Sequence, residues 1–291
     1  MSLPKLQDFL TPGDAQGVLD LLSRYQDRAL IVAGGTFVHG LQSRGLLTHI
    51  EALISIQGLG LDYLEAGGDG LKLGATALFA DLEAMPEVRN DAWLGAVKDA
   101  LTYPPVQVKN AATIGGSVAA SCPFFDVPIS FLSLDGIVSC RGPNGVRVIP
   151  LPEFFTGLFA SAMKNNEFLV ELVLPRPRSR SAGAFTKIET NANDLAILNA
   201  AVRIDMDDAG LCTDARIIVG GGVGEIPVRA RAAEQILVKQ KLTPEVCEKA
   251  GQSAKDSVDP ISDHRASAAY RAEMTRVIVN RALRQALERL N

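Results

Sequence analysis

The sequence predicts an α+β fold with a mixed N-terminal domain and a smaller C-terminal domain of sheet and helices. Short apolar runs, several joined by glycine-rich turns, alternate with short helical segments as far as residue 174. Residues 175–181 are rich in proline, arginine and serine, which is typical of a linker. Three strand-like runs and then three helical segments follow this linker. We therefore expect two domains, residues 1–176 and 181–291.

Composition excludes several classes of protein. The chain has 291 residues, of which 47% are hydrophobic, as expected of a globular protein with a sizeable core. Only 5% are aromatic, so the core must consist mainly of leucine, isoleucine, valine and alanine. The net charge is −4 without a basic stripe, which argues against a nucleic-acid partner. The sequence has no apolar run of transmembrane length, and residues 1–5 lack a signal-peptide layout, so we expect a cytoplasmic protein.

Cysteine and histidine do not form a recognisable metal-binding pattern. The sequence has no C-x-x-C pair and no histidine at zinc-ligand spacing from a cysteine. The three histidines are scattered, and no Ser-His-Asp signature is present. We therefore predict no metal site and no catalytic side chain in this chain, and we expect thiols in a reducing compartment. The cysteines are Cys122, Cys140, Cys212 and Cys247.

The first elements lead into and out of a glycine-rich stretch. Residues 4–29 predict a strand or extended lead and then a helix, whose start is marked by Thr-Pro-Gly-Asp at 11–14. The short apolar run Ala29–Val32 predicts a strand. A short helix is expected at residues 37–44 and another strand at 49–56.

The middle of the chain mixes hairpins with short helices. Apolar residues alternate on both sides of a glycine-rich turn at 66–70, which predicts a hairpin. Because a residue before proline is biased away from helix, we expect residues 103–110 to form an extended connection. The other predicted helices lie at 78–85, 92–101, 129–134 and 152–155, and the other strands at 137–140, 146–149 and 168–174.

The C-terminal domain is predicted to be a three-stranded antiparallel sheet followed by helices. An Asp-Asp-Ala-Gly turn at 207–210 joins the second and third strands. The last helix carries an apolar stripe at helical spacing, which is typical of core or interface. The strands are expected at 184–188, 200–206 and 215–219, and the helices at 230–239, 244–257 and 267–290.

Two stretches with paired glycines, residues 31–38 and 112–118, are candidate binding loops. Each has a short apolar run and then two adjacent glycines beside a hydroxyl residue. Glycine allows positive φ and a close approach of ligand to backbone, and consecutive N–H groups in such turns bind phosphate. The hydroxyls of Thr36, Thr113 and Ser117 would add donors. A tight turn between strands is the alternative for either loop alone, and neither loop matches the Rossmann or Walker A pattern.

Further short motifs accompany the two loops along nearly the whole chain. They are Ala-Gly-Gly-Thr at 33–36, Gln-Val-Lys-Asn-Ala-Ala-Thr-Ile-Gly-Gly at 107–116, Pro-Phe-Phe-Asp at 123–126, Asn-Glu-Phe-Leu at 166–169, Ala-Phe-Thr-Lys at 184–187, Gly-Gly-Gly-Val at 220–223, Pro-Val-Arg-Ala at 227–230 and Asp-His-Arg-Ala-Ser at 263–267. In this order they resemble the FAD-binding medium subunit of molybdenum hydroxylases, the family of carbon monoxide dehydrogenase and xanthine dehydrogenase relatives.

The resemblance implies both a fold and a cofactor. The fold is a vanillyl-alcohol-oxidase-type FAD-binding domain of two subdomains, at about residues 1–56 and 57–176, followed by a C-terminal CO-dehydrogenase-flavoprotein-like domain at 181–291. In the family the two glycine loops hold the FAD pyrophosphate, which agrees with the anion-binding interpretation above. The molybdenum cofactor and the [2Fe–2S] clusters are expected on partner subunits, since this sequence lacks the cysteine groups of a cluster domain.

Four residues outside the loops match family positions beside the cofactor. Asp126 matches an acidic residue that accepts hydrogen bonds from ribose or adenine, and its alternative is a role at the start of the following helix. Leu169 matches an apolar residue that touches FAD, and would otherwise be core. Lys187 matches a lysine near the flavin, where an ammonium group would stabilise negative charge, and would otherwise be an exposed strand lysine. Tyr103 is placed by spacing alone, where relatives carry an aromatic residue.

The complete predicted cofactor site comprises Ile31, Val32, Ala33, Gly34, Gly35, Thr36, Phe37, Val38, Tyr103, Ala112, Thr113, Ile114, Gly115, Gly116, Ser117, Asp126, Leu169 and Lys187. Three positions depart from the family pattern. Phe37 stands where relatives often carry Asp or Glu, Ser117 where many carry Asn, and Lys109 where many carry Arg. These changes keep a pyrophosphate site but leave the hydrogen bonding of the flavin and the electron acceptor open.

The function implied by the resemblance is that of an electron-transfer subunit. Substrate is oxidised at molybdenum on a large subunit, and electrons pass through iron–sulfur clusters on a small subunit to FAD. The external acceptor is NAD, a quinone or another compound, and a dimer of heterotrimers is the assembly that the family suggests. Two alternatives stay open: a free-standing flavin oxidoreductase with its own substrate, and a non-catalytic scaffold subunit with degenerate FAD loops.

Overall fold

The computed structural model describes residues 3–43 and 45–290, which form three sheets, a small separate hairpin and the helices around them. Four residues lie outside this description: Met1, Ser2, Arg44 and Asn291. Met1 and Ser2 belong to the segment 1–5 that lacks a signal-peptide layout, and Arg44 is the last residue of the helix predicted at 37–44. Within the described residues, none of the helices combines the length and the apolar character needed to cross a bilayer. The same residues contain no cluster of His, Cys, Asp and Glu side chains arranged to hold a metal ion.

The N-terminal part is a small parallel sheet with two helices. Its elements are β1 (Asp8–Leu10), α1 (Ala15–Tyr25), β2 (Ala29–Val32), α2 (Thr36–Ser43) and β3 (Ala52–Ser55). The strand order is β1-β3-β2, with parallel pairing throughout. Asp14 caps α1, because its carboxylate accepts a hydrogen bond from the Gly17 N–H at 2.8 Å. Strand β2 leads straight into the first glycine pair, and α2 begins directly after it.

The middle part is a five-stranded antiparallel sheet surrounded by short helices. Its sheet strands are β4 (Leu64–Gly67), β5 (Gly70–Gly74), β6 (Ile137–Gly142), β7 (Gly145–Pro150) and β10 (Phe168–Pro175), and β8 (Phe155–Gly157) pairs with β9 (Ala160–Ser161) as a separate hairpin. Its helices are α3 (Phe79–Ala84), α4 (Pro86–Asn90), α5 (Gly95–Ala100), α6 (Val106–Lys109), α7 (Ile114–Ala119), α8 (Val127–Ser133) and α9 (Leu151–Phe154). The strand order β4-β5-β10-β6-β7 places β10 at the centre of the sheet.

The C-terminal part is a four-stranded antiparallel sheet covered by helices. Its elements are β11 (Arg180–Ile188), β12 (Leu198–Met206), β13 (Cys212–Gly221), β14 (Val228–Arg229), α10 (Arg231–Leu237), α11 (Pro244–Lys255) and α12 (Ala268–Glu288). The prediction of three strands is therefore wrong in this detail, since β14 adds a short fourth strand beside β13. Two residues are too few to show an alternating pattern, so the sequence gives no sign of β14.

Two connections differ from their predicted conformation. Residues 106–109, expected to be extended, form the short helix α6 immediately after Pro105. Proline disfavours helix at the residue before it, but it readily precedes a first helical turn, so the two prolines start α6. The second glycine pair lies within the first turn of α7 instead of in a turn between strands.

Partly buried ion pairs join the C-terminal part to the middle part. Asp99 of α5 accepts hydrogen bonds from the Arg289 guanidinium (Nη1–Oδ2 2.8 Å) and from the Phe185 N–H at 3.0 Å. Asp135, just after α8, accepts from Arg203 at 3.0 Å and from Arg216 at 2.9 Å. These contacts hold β11 and β12 against α5 and α8, so side chains of the C-terminal sheet reach the cavity described next.

Candidate cofactor site

A cavity of about 830 Å³ lies where the three parts of the chain meet. This volume is within the range of roughly 300–1,000 Å³ that is usual for ligand and cofactor sites. All but one of the residues predicted for the cofactor site line it. They are Ile31, Val32, Ala33, Gly34, Gly35, Thr36, Phe37, Val38, Tyr103, Ala112, Thr113, Gly115, Gly116, Ser117, Asp126, Leu169 and Lys187. Ile114 instead points into the core and is fully buried there.

The backbones of the two glycine loops touch each other. A Cβ atom added at Gly34 would lie 1.7 Å from the carbonyl oxygen of Ala111. Only glycine fits at this point, because the obstacle is backbone and cannot rotate away. The contact fixes the two loops side by side along the cavity wall, although some 75 residues separate them in the sequence.

The first loop brings to the cavity the backbone N–H groups of Thr36, Phe37 and Val38, which have no backbone acceptor among the described residues. Gly35 has φ +69°, the left-handed conformation that turns the chain from β2 into α2. The N–H groups of the first helical turn have no acceptors within their own helix, and Thr36, Phe37 and Val38 all line the cavity. The start of α2 is therefore suited to a phosphate group, which also gains from the partial positive charge of a helix N-terminus.

The second loop differs from its prediction, because its N–H groups are already paired. The N–H of Gly115 donates to the Ala75 carbonyl at 2.9 Å, and that of Gly116 donates to Thr113 Oγ1 at 3.2 Å. Ser117 Oγ donates to the Ile114 carbonyl at 2.8 Å. Neither glycine has positive φ. A Cβ at Gly115 would meet that of Ala75 at 2.6 Å, so this glycine is required for close packing. The loop supplies a wall of small residues, and Thr113 keeps its hydroxyl hydrogen for donation.

A buried ion pair forms another part of the cavity wall. Lys187 Nζ lies 2.8 Å from Asp126 Oδ2 and 3.0 Å from Glu189 Oε2, and the Lys187 side chain is 2% exposed. Asn199 Nδ2 donates to Asp126 Oδ1 at 2.9 Å. Asp126 stands at the start of α8, but its side chain makes no capping hydrogen bond. The Asp126 carboxylate therefore does not cap α8, which was the alternative role for this residue.

Burial raises the pKa of two residues in this wall, Asp126 and Tyr103. Burial raises the pKa of Asp126 above its usual range, and the positive charge of Lys187 opposes the shift only in part. Tyr103 lies under the Lys187 ammonium, which is 4.9 Å from the ring centroid. Burial, followed by the negative charges of Asp126 and Glu189, also raises the pKa of Tyr103. The phenol therefore stays protonated at neutral pH.

Aromatic residues close part of the cavity beside the first loop. The Phe37 ring contacts Phe125 edge-on at 5.1 Å between centroids, and Phe159 at 5.7 Å. Phe159 lies in the turn between β8 and β9 and has φ +57°. Where the family often carries a carboxylate, this chain therefore has an apolar contact. Lys109, the third departure, pairs with Glu83 at 2.7 Å and is absent from the cavity lining among the described residues.

Sequence reasoning missed several residues of the site. Asn199 and Glu189 bind the Asp126–Lys187 pair, and Phe125 and Phe159 cover Phe37. One signal was available: an asparagine within a run of small apolar residues on a fully buried strand needs a polar partner. The others lie on segments without periodicity.

Two family models together match nearly the whole chain. Residues 4–177 match the family described as the FAD binding domain in molybdopterin dehydrogenase. Residues 183–286 match the CO dehydrogenase flavoprotein C-terminal domain. Among characterised proteins, the 6-hydroxypseudooxynicotine dehydrogenase complex subunit alpha of Paenarthrobacter nicotinovorans is 31% identical over 98% of this chain and 96% of its own length. The nicotine 6-hydroxylase medium subunit of the same organism is 28% identical over 98% of this chain and 99% of its own length.

A solved structure shows the same architecture. Carbon monoxide dehydrogenase from Hydrogenophaga pseudoflava, in a form that lacks the Mo-pyranopterin moiety of its cofactor, contains a chain that superposes with a TM-score of 0.91. The two chains are 28% identical, and the alignment covers 98% of this chain and 99% of that one. The two chains thus share their overall fold.

Proposed function

Because the chain belongs to the family of FAD-binding medium subunits of molybdenum hydroxylases, we propose that the cavity beside its two glycine loops is its FAD site. The chain is the electron-transfer flavoprotein subunit of a molybdenum-dependent hydroxylase or dehydrogenase. The resemblance stated from the sequence and the α+β fold are thereby confirmed. The observation that carries the site is the contact of Gly34 with Ala111, which joins both family loops on one cavity.

The residues present fit FAD in shape and in chemistry. The start of α2 would receive the pyrophosphate, and the hydroxyl of Thr113 would donate to it from the second loop. On that side Gly115 and Gly116, which have no side chains, both line the cavity. Asp126 retains acceptor capacity for a ribose hydroxyl or an adenine amine beyond its bonds to Lys187 and Asn199.

When bound, FAD supplies the electron-transfer chemistry, and the protein supplies binding, orientation and electrostatics. Leu169 offers a buried apolar contact from the central strand of the middle sheet. Tyr103 and the aromatic contacts of Phe37 exclude water from their side of the cavity. The Lys187 amino group lies beside the site between two carboxylates, and these contacts order the wall.

The chain acts within a multi-subunit complex, since its relatives are named as a subunit of a dehydrogenase complex and as a medium subunit. For this protein we propose a large molybdenum-cofactor subunit, a small [2Fe–2S] subunit and a dimer of such heterotrimers. The proposed domain division remains 1–176 and 181–291, with subdomains at about 1–56 and 57–176. Support for it comes from the separate sheets, which lie within residues 8–55, 64–175 and 180–229.

The test is uptake of FAD by the full chain. The purified protein is mixed with FAD, desalted and examined by visible absorption, and the same is done after co-purification with its partner subunits. Flavin bands retained in about a one-to-one ratio support the proposal. Absence of flavin from both preparations would contradict it, and turnover of a substrate by the isolated chain would favour a free-standing flavin oxidoreductase instead.

A further inference from the structure

The connection between β11 and β12 closes the cavity on the side of the C-terminal part. We call residues 193–197 the strap. Its residues Asn193, Asp194 and Leu195 line the cavity. Asn193 has φ +70°, a left-handed conformation that asparagine adopts more readily than most residues but at some cost in free energy. Contacts with neighbouring segments help to keep the strap in this conformation.

Cationic side chains hold the strap by its carbonyl groups. Every carbonyl from 194 to 197 accepts a hydrogen bond from a lysine or an arginine, and these donors lie on β11, on α12 and in the segment before α12. Short charge-assisted hydrogen bonds, such as the one from Lys187, are roughly twice as strong as neutral ones, and the three longer bonds from arginine are weaker. The bonds are Lys187 Nζ to Asp194 O at 2.6 Å, Arg265 Nη1 to Leu195 O at 3.4 Å and to Ala196 O at 3.2 Å, and Arg271 Nε to Ile197 O at 3.3 Å.

Asp263 joins the two arginines behind the strap. Its Oδ2 accepts from Arg271 Nη2 at 2.8 Å, and its Oδ1 accepts from the Arg265 N–H at 2.8 Å. Burial alone would raise the pKa of Asp263, but the bonds from Arg271 and from the backbone of Arg265 and Ala266 lower it to about 2. The carboxylate is therefore ionised across the physiological range, and it pairs closely with the Arg271 guanidinium at 2.8 Å and more loosely with that of Arg265 at 3.7 Å. We call Asp263, Arg265 and Arg271 the arginine clasp.

The burial of Arg271 shows how closely the clasp is built into the fold. Its side chain is completely buried, and its guanidinium lies so close to Gly222 that an added Cβ would come within 2.5 Å of Cζ. A buried ion pair costs much of its Coulomb energy in desolvation, so stability alone is a weak reason for one. Arg271 does fix the positions of two segments, because its guanidinium group donates hydrogen bonds to the carbonyls of both Ile197 and Ile261.

We propose that the arginine clasp consists of positioning residues that set the strap against bound FAD. The inference rests on the proposed function, because it needs FAD in the cavity. Among the described residues that line the cavity neither arginine is found, so the clasp acts through the strap. The strap then carries Asn193, Asp194 and Leu195 to fixed places on the cavity wall.

The experiment compares three variants of the full chain with the unaltered protein. Arg265→Ala removes the hold on two strap carbonyls, and Arg265→Lys keeps the cation over the Phe124 ring but loses the guanidinium fork. Arg276→Ala is the matched control, because Arg276 lies on α12 and pairs with Glu248 and Glu273 away from the strap. The readouts are the Kd for FAD, the visible circular dichroism of bound flavin, and amide hydrogen exchange of residues 189–197.

For Arg265→Ala we expect faster exchange in the strap, altered flavin circular dichroism and a Kd raised about tenfold. Arg265→Lys should fall between this variant and the unaltered protein, and Arg276→Ala should match the unaltered protein. A loosened strap with unchanged Kd and circular dichroism would overturn the positioning role while leaving FAD binding intact. Failure of the unaltered protein to bind FAD, both alone and in complex with its partner subunits, would contradict the proposed function, and this inference with it.

Discussion

At the scale of single residues, the glycines of the two loops serve different purposes. Gly35 is needed for its left-handed φ, whereas Gly34 and Gly115 are needed because a backbone carbonyl or an alanine occupies the place of their Cβ atoms. The sequence indicated that glycine mattered at these positions. It could not separate a conformational cause from a packing cause, because the second depends on a neighbour that is distant in the chain.

The pairing of Asp126 with Lys187 also lies beyond sequence reasoning. Both residues were placed beside the cofactor by resemblance, and both line the cavity. Their mutual contact spans 61 positions, crosses from the middle part to the C-terminal part and recruits Asn199. Tertiary packing alone decides such contacts, so periodicity and propensity do not reveal them.

Removing the cation of this pair should destabilise the protein strongly. Lys187→Met leaves the Asp126 carboxylate buried with one bond from Asn199, and we expect a loss of roughly 3–5 kcal/mol in the free energy of unfolding at neutral pH. Lys109→Met is the control, since its partner Glu83 is 39% exposed and such pairs contribute about 0–1 kcal/mol. Urea denaturation of the apoprotein measures both.

The loss caused by Lys187→Met should shrink as the pH falls. Burial already raises the pKa of Asp126, and removal of Lys187 raises it further, so the folded variant takes up a proton that the unfolded chain does not. Uptake of this proton stabilises the folded variant below the raised pKa. An equal loss at pH 5.5 and pH 8 would contradict this, as would a double variant with Asp126→Asn that recovers no stability.

At the scale of elements, the sequence succeeded where segments are long and periodic. Strands β10 to β13 and helices α10 to α12 lie where the apolar patterns placed them, within a few residues at each end. The strands β8, β9 and β14 were not predicted, because each has only two or three residues and so shows no periodic pattern. Helix α6 was not predicted, because proline disfavours helix only at the residue before it and the prediction extended this preference to the residues after Pro105.

The β8–β9 hairpin is the missed element that matters most for the site. Phe159 in its turn contacts Phe37 over the first loop. We expect Phe159→Ala to raise the Kd for FAD several-fold, about 1 kcal/mol, and to increase quenching of bound flavin by iodide. Leu158→Ala is the matched control, because Leu158 is 49% exposed and lies outside the cavity lining in the described chain. Equal effects of the two changes would show that the Phe159 ring does not cover the cofactor.

At the scale of the whole molecule, the site exists only because three parts of the chain meet. The first glycine loop belongs to the parallel sheet, the second to the middle part, and Lys187 to the C-terminal sheet. The α+β class, the family and the cofactor were predictable, because ordered motifs carry that information without coordinates. The different roles of the two loops were not predictable, because they depend on which backbone N–H groups are already hydrogen-bonded within the fold.

The central claim is that FAD binds with its pyrophosphate at the turn from β2 into α2. Its most direct test is the Kd for FAD of Gly35→Ala compared with Gly60→Ala, measured by fluorescence titration. Both glycines have nearly the same left-handed φ, +69° and +67°, and neither has a heavy atom close enough to clash with an added Cβ. Both changes therefore cost a similar strain of about 1–2 kcal/mol, but only Gly35 lines the cavity.

We expect Gly35→Ala to raise the Kd at least about tenfold and Gly60→Ala to change it less than about twofold, at matched losses of stability. This result would show that the geometry of the first loop, and not general destabilisation, controls cofactor binding. Equal Kd values for the two folded variants would contradict the assignment of the pyrophosphate to this turn.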